Sequence, residues 1–281
     1  MPNIFSKYNH FFKSRPILNL FIALIYFLLV VLPHEEVGKI IAALLDEPLG
    51  RSLYNKLILG FGTAGFLGYL WLVRRGVFKF PERKKPTILY LSVTLLLIIL
   101  TINILMVINV EMIHFVQYAI MAILLFPLFS NFGNTLFFTI FLGALDEAYQ
   151  YWVLAPFRTD YYDFNDVIIN LLGAALGLIL LFSNGLKTTT SNTKILRNPV
   201  TLSSLILLAI FAGLYSTGKL AIFPNAEGNQ APILLVRKVQ PGFWTIVPPE
   251  VKFHVLRPLA GLVIGLILFQ FYKALNKLSF T

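Results

Sequence analysis

Residues 166–182 read DVIINLLGAALGLILLF, and this stretch determines the class of fold because it carries a single charge in an otherwise apolar run. A helix of about 20 predominantly apolar residues crosses some 30 Å of hydrocarbon. Such runs recur along the chain, since 57% of its 281 residues are apolar, 13% are charged and the mean hydropathy is +0.77. In a soluble domain about a quarter of the residues are charged. The composition therefore excludes a soluble globule and a disordered chain.

Eight apolar runs predict an all-α polytopic membrane protein with about eight transmembrane helices. They cover residues 17–32, 57–73, 87–110, 114–129, 135–154, 166–182, 199–216 and 255–271. The third and fourth runs are separated by a very short turn, and the topology would invert after them if they formed one bent element. The first run has no small-residue cleavage site after it, which favours a retained anchor over a signal peptide.

One long loop, 217–254, separates the last two predicted helices. Its runs 233–236 and 243–247 are rich in β-forming residues and flank the turn Gln240-Pro241-Gly242. This arrangement predicts a β-hairpin or an interfacial cap on the outer side of the membrane. The aromatic residues of the loop are typical of the headgroup region.

The net charge of +10 is distributed unequally between the two predicted sides of the membrane. With a cytoplasmic N-terminus, 14 of the 23 basic residues fall on the inner segments and 12 of the 13 acids fall on the outer half. The positive-inside rule therefore predicts cytoplasmic N- and C-termini. Basic residues placed between apolar runs indicate topology and contact with anionic lipid, and we expect no nucleic-acid partner. The absence of cysteine excludes a disulfide framework, a thiolate nucleophile and a cysteine metal site.

The start of the fourth predicted helix carries three polar side chains. Glu111, His114 and Tyr118 are spaced by three and four residues, which places them on one helix face. They form either part of a functional site or an ordinary solvated helix start, in which Glu111 complements the helix dipole.

A second polar group lies inside the fifth predicted helix. Glu147 is seven residues before the end of the run at Leu154 and shares a face with Gln150. A charge in hydrocarbon costs about 2.5 to 3.5 kcal/mol, so we expect Glu147 to be protonated, paired or turned towards a wet cavity. Its neighbour Asp146 is predicted to point elsewhere on the helix.

The following loop contains one cation among three acids. Arg158 is therefore the expected partner of Glu147, of Asp166 or of an anionic substrate group. Asp166 begins the next helix as an N-cap or first-turn acid, and Asn170 follows one turn later.

Small residues spaced by four predict close helix contacts in two places. Gly173 and Gly177 form one such pair, and Gly261 and Gly265 form another. Contact at Gly173 is expected to bring Asp166 and Asn170 against a neighbouring helix, which we take to be the one that carries Glu147.

These motifs occur in a fixed order on consecutive predicted helices. They are Glu111-x-x-His114-Phe115-x-x-Tyr118, Glu147-x-x-Gln150, Pro156-x-Arg158 and Asp166-x-x-x-Asn170-x-x-Gly173. Together they resemble the VanZ-like family of bacterial membrane proteins, named for a protein associated with teicoplanin resistance. The resemblance covers residues 87–184 and implies a four-helix core, with two-helix extensions at 1–86 and 185–281. It also implies a location in the bacterial cytoplasmic membrane.

Two functions from different classes follow for this region. In the first, an outer-leaflet pocket binds or modifies a lipid-linked or cell-wall component and affects glycopeptide susceptibility. The catalytic candidates are Glu111, His114, Glu147 and Asp166, and the substrate-binding candidates are Tyr118, Gln150, Arg158 and Asn170. In the second, the same residues form a structural latch in a membrane scaffold or sensor. The sequence leaves open whether the protein is an enzyme.

A metal site is a third interpretation, because Glu-x-x-His is the ligand spacing of di-iron carboxylate bundles. Those sites need two such motifs, and here Gln150 stands where the second histidine would be. The sequence therefore predicts no metal and no cofactor.

Overall fold

Helices form most of the structure, a computed structural model of the chain. It describes residues 4–33, 36, 39–40, 43, 51–107, 109–154, 156, 160–188, 199–224, 231–240, 242–247 and 251–279. The α-helices in these ranges are α1 (Ile4–Lys13), α2 (Pro16–Val31), α3 (Arg51–Lys79), α4 (Lys84–Ile104), α5 (Ile113–Phe129), α6 (Phe132–Tyr149), α7 (Phe164–Ser183), α8 (Pro199–Ser216), α9 (Pro258–Lys273) and α10 (Leu275–Leu278). Short 3₁₀ segments at Pro81–Arg83 and Asn109–Met112 precede α4 and α5, and a π-helical segment at Gln150–Leu154 continues α6.

Five helical stretches are long and apolar enough to cross a membrane. They are Lys56–Lys79, Pro81–Ile104, Phe164–Ser183, Pro199–Ser216 and Pro258–Leu278. Helices α1 and α2 meet the same test together but are bent by 109°, and α5 is a shorter apolar helix. The structure therefore supports an all-α integral membrane protein, whereas the predicted number of eight spans is not confirmed.

The observed helices agree with the predicted runs to different extents. Helix α8 coincides with the predicted span 199–216, and α7 extends the span 166–182 by two residues at its start and one at its end. Helix α4 ends at Ile104, six residues before the predicted end, so the segment up to α5 is a longer connection than the sequence indicated. Helix α1 was not predicted, because its basic residues were interpreted only as the flank of the first span.

Helix α7 lies at the centre of the molecule. All of its residues except Asp166 are buried, and helices α3, α4, α5, α6 and α9 pack against it. In contrast, no residue of α8 is buried, and its apolar side chains are exposed as expected of a helix that faces lipid. The core of the protein is therefore organised around the apolar helix Phe164–Ser183.

Glycines set how closely the neighbours approach α7. A Cβ atom at Gly173 would lie 2.8 Å from the carbonyl oxygen of Phe115, and one at Gly177 would overlap the carbonyl of Ala119. Both contacts are with α5, so the prediction that Gly173 faces the helix of Glu147 is wrong. Helix α6 approaches α7 through its own Gly143, where a Cβ atom would lie 3.0 Å from the Cβ of Asn170. The other predicted small-residue contact is present, because Gly261 of α9 packs against Phe164.

The segment between α8 and α9 forms a cap with four short strands. Strand β1 (Leu220–Ala221) pairs in parallel with β2 (Ile233–Leu234), and β3 (Thr245–Val247) pairs antiparallel with β4 (Val251–Phe253). The predicted hairpin between the runs 233–236 and 243–247 is therefore wrong. The run 233–236 already has a hydrogen-bonded neighbour on each side. The Leu235 N–H donates to Ala221 O at 3.1 Å, and the Leu235 carbonyl accepts from Tyr162 N at 2.8 Å.

Asn165 fastens the cap to the amino-terminal end of α7. Its Nδ2 donates to the carbonyls of His254 at 2.7 Å and Leu105 at 3.0 Å, and its Oδ1 accepts from Leu256 N at 2.9 Å. One buried amide thus joins α7, the end of α4 and the segment that leads into α9, and it positions the cap beside the polar end of the helices.

Arg83 holds the opposite end of α7. Its guanidinium is buried and donates from Nη1 to the carbonyls of Phe182 and Leu186, both at 2.7 Å, while lying 4.8 Å from the centre of the Phe182 ring. These carbonyls belong to the last turn of α7 and the residues after it, where a cation also complements the helix dipole. Arg83 is therefore a structural clamp at the carboxyl-terminal end of the central helix.

Candidate functional site

Three helices bring polar side chains to one end of the core. Helices α5 and α7 begin there and α6 ends there, as alternating directions in the bundle require. The six residues that meet, hereafter the polar cluster, are His114, Tyr118, Asp146, Glu147, Gln150 and Asn170. Five of the side chains are buried and Gln150 is partly buried.

His114 is oriented by Asn170. The ring Nδ1 lies 2.9 Å from Asn170 Oδ1. An amide oxygen accepts only, so with this amide orientation Nδ1 carries the proton and Nε2 carries the lone pair. The close contact at Gly173 makes this pairing feasible, because it brings the start of α5 directly against α7.

Asp146 belongs to the cluster, and the prediction that it points elsewhere is wrong. Its side chain is fully buried, with Oδ2 accepting from the Tyr118 hydroxyl at 2.8 Å and Oδ1 accepting from Gln150 Nε2 at 3.1 Å. Tyr118 is one helical turn from His114, and their rings are stacked at 6.3 Å. The signal that could have identified Asp146 is its i+4 spacing to Gln150, which puts an amide donor one turn away.

Glu147 lies beside Asp146 and is 2% exposed. Gln150 Nε2 approaches its Oε1 at 3.4 Å, so the predicted common face of Glu147 and Gln150 is observed. Donor atoms of His114, Asp146 and Glu147 all lie within 4.8 Å of one another. The cluster therefore concentrates one imidazole and two carboxylates in a buried volume.

The side-chain amide of Asn170 also lies next to α6. The amide lies beside Glu147 and against Gly143, but its Nδ2 has no partner that meets hydrogen-bond geometry among the described residues. Most buried amide nitrogens are hydrogen-bonded. This nitrogen is therefore available to an acceptor that enters the cluster.

Two further acids lie at the start of α7. Asp163 is the N-cap, and its Oδ1 accepts from Asn165 N at 2.8 Å and Asp166 N at 3.3 Å. Asp166 is the first-turn acid that the sequence predicted. Burial, together with the charge of Asp166, raises the pKa of Asp163 to about 7, against the lowering effects of the two cap hydrogen bonds and of His114. Asp163 was not singled out in the sequence, although it stands directly before an apolar run, where N-caps are common.

The remaining predicted residues are placed differently. Glu111 lies in the 3₁₀ segment before α5, and its Oε2 accepts from the Val107 N–H at 3.0 Å, so it stabilises the connection from α4. It therefore does not lie within the α-helix that carries His114 and Tyr118. Arg158 lies outside the described residues.

The cap closes over this end of the bundle. Tyr162, which precedes α7, donates from its hydroxyl to the Ala144 carbonyl of α6 at 2.7 Å. Arg237 donates to the Tyr151 carbonyl at 3.2 Å and places its guanidinium 3.9 Å from the Tyr151 ring centre. The polar cluster is thus bounded by helices on its sides and by the cap at its end, which shields it from bulk water.

The chemistry of the cluster follows from its residue types. A histidine with a fixed tautomer acts as a general acid or base, and buried carboxylates bind cations or share protons. A comparison of the chain with protein families, with curated proteins and with solved structures found no match. The fold alone defines the class as an integral membrane protein with several long apolar helices.

Proposed function

We propose that this is a VanZ-like protein of the bacterial cytoplasmic membrane whose polar cluster binds or modifies a lipid-linked or cell-wall component at the outer leaflet. The observation that carries the proposal is the burial of an imidazole beside two carboxylates at one end of α5, α6 and α7. Ionisable residues within membrane helices are costly, and they are usually retained for a function.

The distribution of Lys and Arg supports an outer location for this end. Arg83 and its neighbours Lys84 and Lys85 lie at the opposite end of the bundle, and basic residues accumulate on the cytoplasmic side of membrane proteins. The N- and C-termini are then cytoplasmic, and a substrate reaches the cluster from the outer leaflet.

Five members of the polar cluster have a role in this proposal. His114 acts as the general acid or base, because Asn170 holds Nδ1 and leaves the lone pair on Nε2. Tyr118 and Gln150 hold the Asp146 carboxylate in place by donating hydrogen bonds to it. Arg158, assigned from the sequence, binds an anionic headgroup.

The test is drug susceptibility of intact cells. Cells that lack the protein are compared with cells restored with wild type or with His114→Ala, and susceptibility to teicoplanin and vancomycin is measured. We expect wild type to change susceptibility to teicoplanin more than to vancomycin, because only teicoplanin carries a lipid chain, and His114→Ala to behave as the empty vector does.

His10→Ala is the matched control. His10 is exposed on α1, away from the cluster, and its replacement is expected to leave the phenotype of wild type unchanged. The amount of each variant in the membrane is measured in parallel. Full activity of His114→Ala at equal abundance would disprove a role of the imidazole.

A structural latch is the second candidate, and it is favoured because the hydrogen bonds of the polar cluster join different helices. Tyr118 joins α5 to α6 through Asp146, and His114 joins α5 to α7 through Asn170. A latch predicts that Glu147→Gln preserves function, since the amide can still form hydrogen bonds. A binding or catalytic site predicts that the same variant is inactive but folded, with exposed Glu82→Gln as the control.

A further inference from the structure

Among the residues that the structure describes, acids outnumber bases in and around the polar cluster. Asp146 and Glu147 are adjacent in sequence and both are buried, and within the described ranges neither forms an ion pair with Lys or Arg. Asp163 and Asp166 add two more acids at the same end. Buried carboxylates are normally protonated, paired with a cation or bound to a metal.

The positions of the donor atoms suit a single cation. One ring nitrogen of His114 and one oxygen each of Asp146 and Glu147 lie within 4.8 Å of one another. Ligand atoms about 2.1 Å from a tetrahedral ion lie about 3.4 Å apart, so side-chain movements of about 1 Å would complete the geometry. One imidazole and two carboxylates form a mixed N/O set that suits zinc and similar divalent ions.

The surroundings of these three residues are those of metal ligands. Asn170 Oδ1 accepts from Nδ1 of His114, and a hydrogen bond from one ring nitrogen is the kind of contact that orients a metal-binding histidine. Tyr118 and Gln150 donate to Asp146 and hold its carboxylate in place. Each carboxylate oxygen has two lone pairs, so these hydrogen bonds still allow coordination.

Asn170 supplies a second, independent indication. Its Nδ2 is fully buried beside Glu147, and among the residues described no acceptor meets hydrogen-bond geometry with it. A water molecule or an oxygen of a substrate on the open position of a metal ion would accept this hydrogen bond. Three protein ligands with one open position are the arrangement of zinc sites that act on substrates.

We infer that His114, Asp146 and Glu147 bind one divalent transition-metal ion, with Asn170 as a hydrogen-bond donor to its fourth ligand. The sequence did not predict this site, because it paired Glu111 with His114 and treated Asp146 as facing away. The inference rests on the same site as the proposed function and adds a cofactor to it. With the ion bound, the ring lone pair of His114 would serve coordination in place of general acid–base chemistry.

The experiment measures zinc binding by the full-length chain in detergent, purified without a histidine tag and stripped with EDTA. Calorimetric titration with Zn²⁺ is expected to show one saturable site per chain, and Co²⁺ is expected to give visible absorption of a low-symmetry site. Asp146→Asn and Glu147→Gln should each weaken Zn²⁺ binding by at least about 100-fold, because removal of contacts that only orient a metal ligand already costs 10- to 100-fold.

Asp160→Asn is the matched control, since this acid lies between α6 and α7 and interacts with Lys238 and Gln240 of the cap. It should bind Zn²⁺ as wild type does. Tyr118→Phe keeps all three ligands and should weaken binding about 10-fold, which tests the site even if an acid variant fails to fold.

Absence of saturable binding by wild type, or equal binding by wild type, Asp146→Asn and Glu147→Gln, would overturn the inference. The drug assay is separate from this measurement. A chain that binds Zn²⁺ but leaves teicoplanin susceptibility unchanged upholds the metal site and contradicts the proposed function, and the reverse result does the opposite.

Discussion

The carboxyl-terminal end of α7 meets Arg83, whereas its amino-terminal end meets His114, Asp146 and Glu147. At the first end the charged and amide donors have acceptors, since Arg83 donates to two carbonyls and Asn184 donates to the Leu180 carbonyl at 2.9 Å. At the second end several acids share a small volume, and among the described residues no acceptor meets hydrogen-bond geometry with the Nδ2 of Asn170. The hydrogen bonds around Arg83 are explained by their contribution to folding stability, whereas the buried acids at the other end are not.

This difference indicates how to separate structural from functional polar residues in a membrane bundle. A matched end loses stability when a side chain is removed. An end with excess negative charge should tolerate neutralisation, because burial of charge opposes folding there. Five substitutions test the contrast.

Arg83→Leu should have the largest effect on stability. It leaves the carbonyls of Phe182 and Leu186 buried without their charged donor, and hydrogen bonds to charged groups contribute about 1.5 to 3 kcal/mol each. We expect a loss of about 3 kcal/mol or more, measured as a lower melting temperature in detergent. Arg74→Leu, at an exposed position of α3, is the control and should melt as wild type does.

Gly173→Ala should cost about 2 kcal/mol, because overpacking of a close contact typically costs 1 to 3 kcal/mol. The new Cβ would lie 2.8 Å from the Phe115 carbonyl oxygen and 3.0 Å from that of His114. These are backbone atoms of α5, which cannot move aside as a flexible side chain can. Thermal melting checks this value. Gly62→Ala on α3 is the matched control, since nothing lies within 4 Å of that position, and an equal loss there would show that packing is not the cause.

Asp163→Asn should change how stability depends on pH. Burial raises the pKa of Asp163 to about 7 in the folded protein from an ordinary value of 3.8, so the folded state retains the proton through this window. The contribution of Asp163 to stability is therefore lost as pH rises from about 4 to 7. The full shift corresponds to about 4 kcal/mol at 1.36 kcal/mol per pH unit, and partial exposure should reduce the effect to about 1 to 2 kcal/mol.

The measurement is the melting temperature of wild type and Asp163→Asn between pH 4 and pH 8. Asparagine is also a good N-cap, so the two proteins should melt alike near pH 4. The variant should be the more stable one at pH 8. Parallel curves across the whole range would contradict the raised pKa.

Tyr118→Phe should cause the smallest loss of stability, about 1 kcal/mol, because it removes one hydrogen bond of 2.8 Å to Asp146. Glu147→Gln is its counterpart at the same end and should melt no lower than wild type. A loss from Glu147→Gln as large as that from Arg83→Leu would remove the contrast between the two ends and favour the latch.

The predicted and observed structures agree best where hydrophobicity alone decides. The run 199–216 is a helix with the predicted bounds, because a continuous apolar segment in lipid must satisfy its backbone hydrogen bonds internally. Agreement is poorer in the cap, where strand 233–236 pairs with residues on both sides instead of with 243–247. Strand pairing depends on which edges are already occupied, and spacing in the chain carries no such information.

The candidate site shows the same division. His114, Glu147, Gln150 and Asn170 stand out in the sequence because polar residues in apolar runs are rare. Asp146 was assigned to the wrong side because an ideal helix turns neighbouring residues about 100° apart, whereas its actual partners, Tyr118 and Gln150, reach it from another helix and from the next turn.

The sequence by itself determined that the chain is a helical membrane protein and that its few acids gather near one group of helix ends, because burial of a charge in hydrocarbon is costly and visible in composition. Only the tertiary structure decided which of those acids meet. Gly173 and Gly177 allow α5 to pack closely against α7, and Gly143 allows α6 to do the same. These close contacts bring His114, Asp146 and Glu147 within reach of one another. Contacts between helices depend on shape at the atomic scale, which a pattern of polar and apolar residues does not encode.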